Sequence, residues 1–154
     1  MKKILLFCLI LNGVSCTKLP DVSCNERTRD LELSKQLFVG KWSLVRSQYS
    51  GDVEPNPKPV IQSETGISET VHFTKDGLVF FATNGFPKAI SRYRILPIKD
   101  YFTYETSDTP VLIFEDDNAK RKELIRFFSV CSDSLYLGRG SFACAGTYET
   151  WVRD

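Results

Sequence analysis

Histidine is nearly missing from this sequence: of 154 residues only His72 is one. A zinc site built on several imidazoles and a nucleophile activated by a histidine base therefore both lack their parts. No stretch approaches the ~20 consecutive apolar residues of a membrane-spanning helix. No Cys-x-x-Cys pair occurs, which argues against a dithiol redox centre and a zinc knuckle. Neither sign of charge dominates, with 20 Lys and Arg against 19 Asp and Glu, so no broad positive field invites nucleic acid. There is also no internal repeat and no low-complexity tract. What is present, 42% apolar and 12% aromatic side chains, suits a single globular domain.

The first 16 residues are MKKILLFCLILNGVSC. Two lysines precede an apolar run from Ile4 to Leu11, too short to span a bilayer and suited to an export signal. Small residues then lead to Cys16. The segment resembles the bacterial lipoprotein signal, which is cut before a cysteine that becomes acylated, although Gly13 stands where that family favours leucine. The resemblance implies a leader at 1–15, Cys16 carrying palmitate-type acyl chains, and anchorage in the cell envelope. Thr17, rather than Asp, follows the cysteine and implies the outer membrane. Two or three acyl chains hold a protein stably on a bilayer, whereas one is marginal. Such a cut removes two lysines and no acid, moving the net charge from +1 to −1.

Residues 17–30 are polar and form a tether. Asp30 is placed to cap a short helix carrying Leu31, Leu33 and Leu37, so 16–36 is expected to hold the tether and this helix, and 37–154 the main domain. From there the texture is alternation with β-branched and aromatic residues. Trp42, Leu44 and Arg46 alternate along a first strand, and the proline-rich residues 50–66 make a long loop. Two strands flank Lys75-Asp76-Gly77, a tight hairpin signal. Further strands are expected at Ala89–Leu96, Tyr101–Glu105, Val111–Glu115, Glu123–Cys131, Leu135–Gly138 and Thr147–Arg153. Eight to nine short strands joined in sequence predict an all-β, antiparallel up-and-down barrel.

Gly40-Lys41-Trp42 at the head of the first strand resembles the Gly-x-Trp motif of lipocalins and lipocalin-like domains. In that family a basic residue of the last strand packs over the tryptophan, a place that Arg153 fills here. The similarity covers residues 37–154. It implies a barrel closed at one end, with Gly40, Trp42 and Arg153 as structural residues, and a small hydrophobic or amphipathic ligand in the interior. Candidate pocket residues are Arg46, Phe73, Phe80, Tyr93, Tyr104, Phe114 and Phe127, with Phe81 as the alternative to Phe80 and Arg94 or Arg126 as alternative grips for an acidic head. The rival reading is a barrel packed solid with side chains, serving as a protein-interaction module of the envelope.

Catalysis is not expected. The VHF alternation turns His72 to solvent. Glu115-Asp116-Asp117 and Lys120-Arg121-Lys122 balance each other across one turn, without the spaced ligands of a calcium loop. No metal or cofactor is called for. Export would place Cys24, Cys131 and Cys144 in an oxidising compartment. A bridge needs Cα atoms within ~7 Å, and a strand of about five residues separates Cys131 from Cys144 by ~17 Å. That favours Cys24–Cys131.

Overall fold

In the computed structural model, which describes residues 30–50, 58–100, 106–115, 124–140 and 146–154, the first element is a helix α1, Leu31–Phe38. The Asp30 side chain accepts from the Leu33 backbone N–H at 2.8 Å, satisfying one of the orphan donors of the first turn. The helix belongs to the barrel rather than to a tether. Leu37 and Phe38 are fully buried, and Phe38 meets Phe73 and Phe128 edge-on at centroid distances of 4.4 and 5.1 Å. Burial on this scale contributes ~1.5–3 kcal/mol per side chain, so α1 is part of the packed core.

Nine strands follow: β1 Gly40–Ser50, β2 Val60–Ile61, β3 Glu69–Phe73, β4 Leu78–Thr83, β5 Phe86–Pro97, β6 Pro110–Glu115, β7 Leu124–Val130, β8 Ser134–Gly140 and β9 Gly146–Arg153. From β3 to β9 each pairs antiparallel with the next, and β9 returns to β1 along its whole length, from Trp42↔Arg153 to Ser50↔Gly146. The result is a closed, eight-stranded up-and-down barrel of β1 and β3–β9, as the alternation predicts. β1 pairs with β3 only over Gly40–Ser43, and further along, at Arg46 and Ser47, with the extra strand β2. A short helix α2, Gln62–Thr65, links β2 towards β3.

Several boundaries differ from the sequence expectations. The expected loop 50–66 holds β2 and α2, and β1 continues to Ser50. β5 starts at Phe86 rather than Ala89, because Asn84 (φ 52°) and Gly85 (φ 77°) both take the positive angles of a two-residue type I′ turn. Pairing resumes at once, Thr83↔Phe86. A register shift between Phe81 and Ala82 leaves Lys88 as the extra residue, a bulge that accommodates Pro87 in the strand. The expected strand Tyr101–Glu105 lies outside the described residues, as do the leader, Cys16 and the tether up to residue 29.

The closed end is organised by Trp42 and Arg153. Trp42 is fully buried, and its Nε1–H donates to the Phe38 carbonyl at 3.0 Å, tying β1 to α1. The Arg153 guanidinium lies 4.2 Å over the indole. It donates to the carbonyls of Ser132 at 2.7 Å and Val39 at 3.0 Å, and to that of Leu37. One planar fork thus joins α1, the start of β1 and the β7–β8 turn. Gly40 makes room for it: a Cβ there would lie 2.5 Å from Arg153 Nη1, and its φ is +143°. A second apolar cluster, Ile98, Val111 and Ile113 with Phe127 packed against it, sits on the outer face of β5–β7.

Candidate functional site

Inward-facing residues above this plug surround a cavity of about 950 Å³, within the range of small-molecule sites. Its walls include Leu44, Val71, Phe73, Phe81, Phe114 and Trp151. Polar groups border it as well: Ser47, Ser91, Arg126 and Glu149. Val60, Ile67 and Leu124 border the cavity and are 44–49% exposed, so it opens to solvent on that side. The interior is open, unlike the solidly packed barrel of the rival reading.

Two of the expected pocket residues, Phe73 and Phe114, line the cavity, with ring centroids 6.3 Å apart. Tyr93 also points inward but does not border the space. Its ring packs 5.0 Å from Phe73, and its hydroxyl donates to the Thr74 carbonyl at 2.7 Å. Burial pushes this phenol up to about 12.

Arg46 is outside. The ladder of β1 with β9 shifts register between Leu44 and Arg46, so Val45 is a bulge and the alternation changes phase. Ser47 takes the inward place instead, while Arg46 is exposed and donates to Gln48 Oε1 at 2.8 Å. Phe80 is outside too. Phe73↔Val79 and Val71↔Phe81 set the inner face of β4, which leaves Phe80 38% exposed beside His72, 6.2 Å between centroids. Phe81, the alternative, is the cavity residue. Phe127 faces outward because Arg126 and Phe128 face inward. Arg94 is exposed and lies 3.9 Å from Glu115. Tyr104 lies outside the described residues.

The sequence reading missed Trp151 and Glu149 as cavity residues. Both were reachable, since they precede Arg153 by two and four positions in β9 and share its face. Arg126 and Glu149 are the only buried ionisable side chains among the described residues, at 7% and 8% exposure. The Trp151 Nε1–H donates to Glu149 Oε2 at 3.3 Å, so the indole that walls the cavity also orients this carboxylate.

His72 is exposed on the outer face, as its alternation predicts. Among the described residues no cluster of His, Cys, Asp and Glu is placed to hold a metal, and no helix is long and apolar enough to cross a membrane. Cys131 is disulfide-bonded. Cys24 and Cys144 lie outside the described residues, as do Asp116, Asp117 and Lys120-Arg121-Lys122.

Comparison of the chain with protein-family models, with curated proteins and with solved structures gives no match. The site must be interpreted from its own geometry.

Proposed function

We propose that this protein is a non-catalytic, lipocalin-like binding protein, anchored by an acylated Cys16 to the bacterial envelope at the outer membrane, that holds a small hydrophobic or amphipathic molecule inside its barrel. The observation that carries the binding role is the cavity of about 950 Å³ walled by aromatic and aliphatic side chains, with a few polar groups at defined positions. Burying a ligand's apolar surface there supplies ~25 cal/mol per Å², before the cost of association. The Gly40-Lys41-Trp42 motif with Arg153 over Trp42 supports the family reading, and the leader with Cys16 supports the anchor.

The test is uptake of an environment-sensitive apolar fluorophore by a soluble chain starting at Thr17. The central core cluster draws its members from Leu31 to Trp151, so this chain retains the whole barrel. Uptake at one site per chain is expected. Ser47→Trp, which sets an indole into the inward place beside Glu149, is expected to abolish uptake while leaving the barrel folded. Equal uptake by Ser47→Trp and wild type would show that the probe binds elsewhere.

A further inference from the structure

The large apolar and aromatic side chains left exposed on the barrel gather at its mouth. Of ten such residues among the described ones, six sit there: Tyr49, Val60, Ile67, Phe86, Leu124 and Tyr148. Phe80, Ile90 and Tyr136 lie along the walls, and Val152 alone lies near the plug. We infer that this rim docks on a lipid bilayer, seating the mouth in the interfacial layer so that the ligand passes between membrane and cavity without crossing water. The inference rests on the cavity-binding and anchor readings above and adds the route by which the cavity is filled.

Single exposed apolar residues are ordinary, but their collection around one opening is not. The closed end carries the opposite surface. Lys75, Asp76, Asp133 and Asp154 are exposed there, and Lys41 pairs with Asp154 at 2.6 Å. The most exposed rim residue, Phe86 at 75%, directly follows the Asn84-Gly85 turn. Among the described residues β5 pairs with β6 only from Arg92 onward, which sets Phe86 beyond the end of β6 at the tip of the β4–β5 hairpin. Lys88 is exposed behind it, with a stem long enough to carry its ammonium back to lipid phosphates. Tyr49 and Tyr148, 51% and 61% exposed, have the apolar body and polar tip that suit the headgroup level.

A bilayer is the occupant because it covers all these elements in one plane and lies within reach of the anchor. Residues 17–29 number thirteen and span at most ~45 Å. β5, the longest strand at 12 residues, runs ~40 Å, and the ~35–45° tilt of a closed barrel lowers that to a height of ~30 Å. A chain leaving the plugged end at Asp30 therefore brings Cys16 to the plane of the mouth. With Cys24 bridged to Cys131, the eight residues back to Cys16 plus the ~6 Å of a disulfide still reach ~32 Å. The charges bordering the mouth are of mixed sign, Lys88 against Glu69 and Glu115, so the attraction is apolar and needs no anionic lipid.

The experiment is flotation of the unacylated chain from Thr17 with vesicles of phosphatidylcholine, alone or with one-quarter phosphatidylglycerol. The chain is expected to float with both, with affinities that agree within about threefold. Phe86→Ser combined with Tyr148→Ser is expected to weaken binding roughly tenfold or more, whereas Tyr136→Ser on the barrel flank leaves it unchanged. All three positions are exposed, and thermal melts followed by circular dichroism verify the fold of each variant. Phe86→Trp adds a positive signal: relative to wild type, its extra emission should shift to the blue on vesicles and be quenched by brominated lipid. No flotation of the wild type, flotation only with phosphatidylglycerol, or an equal loss in Tyr136→Ser would overturn the inference. So would a concentration-dependent dimer in solution that Phe86→Ser dissolves, because a second copy would then cover the rim. Fluorophore uptake without flotation refutes docking alone, and flotation without uptake refutes the cavity reading alone.

Discussion

Replacing Arg153 tests whether the closed end is held by a guanidinium in a fixed fork or simply by a positive charge. Arg153→Met keeps much of the side-chain volume but leaves the carbonyls of Leu37, Val39 and Ser132 without their donor. Hydrogen bonds to a charged group contribute ~1.5–3 kcal/mol each, and the contact with the Trp42 face about 0.5–1 kcal/mol at a partly exposed site. Arg153 is half-buried, so water recovers part of the loss, and the three bonds share one side chain and do not simply add. A destabilisation of about 3–4 kcal/mol follows, a fall in melting temperature on the order of 10 °C for a domain of this size. Arg153→Lys retains the charge but offers no planar fork, so it restores one carbonyl partner and still costs about 2 kcal/mol. Urea unfolding followed by tryptophan fluorescence reads both, with Trp42 reporting from the site. A lysine variant as stable as wild type would refute the fork and leave only a charge over an indole.

Gly40→Ala introduces a Cβ within 2.5 Å of the guanidinium at a φ of +143°, so a loss of at least about 2 kcal/mol is expected from denaturant midpoints. Ser34 is fully buried and its hydroxyl has no hydrogen-bond partner among the described residues. Ser34→Ala relieves that cost, and a gain of ~1 kcal/mol or more is expected in the same assay; a comparable loss would mean that the hydroxyl is satisfied. Tyr93 titrates at about 12 in the folded state against ~10 when unfolded. The fold favours the neutral phenol, so this stabilisation is complete below pH 10 and is lost as pH rises through 12. Alkaline unfolding tracked by circular dichroism together with tyrosinate absorbance should show one tyrosine ionising with the unfolding step, and Tyr93→Phe should remove that tyrosine's signal.

The order of the strands and the plug were legible in the sequence because each had a local physical cause. Asp30 announces a helix start, Asp76-Gly77 marks a hairpin with positive φ at Gly77, and Gly40, Trp42 and Arg153 form a compact steric and electrostatic unit. The cavity walls were less legible. Period-two alternation gives the faces of a strand but not which face is inside, and a bulge resets the phase. Val45 does this for Arg46, which alternation with Leu44 assigns to the interior. In β6 the difficulty is different: Val111, Leu112 and Ile113 are all fully buried, Leu112 in the main core and its neighbours in the outer cluster. Hydrophobicity therefore carries no phase there or at Phe127 on the adjoining strand. The result runs against the usual preference, with aromatic Phe127 outside and charged Arg126 inside. That inversion is what places a guanidinium in the cavity.

The most direct test of a ligand-binding barrel is native mass spectrometry of the chain from Thr17 onward, isolated without detergent and then denatured to release and identify what it carries. The account predicts one stoichiometric extra mass per chain that is lost on denaturation and belongs to an amphiphile small enough for a cavity of about 950 Å³. A bare polypeptide mass, from a protein that also fails to take up the apolar fluorophore, would contradict it.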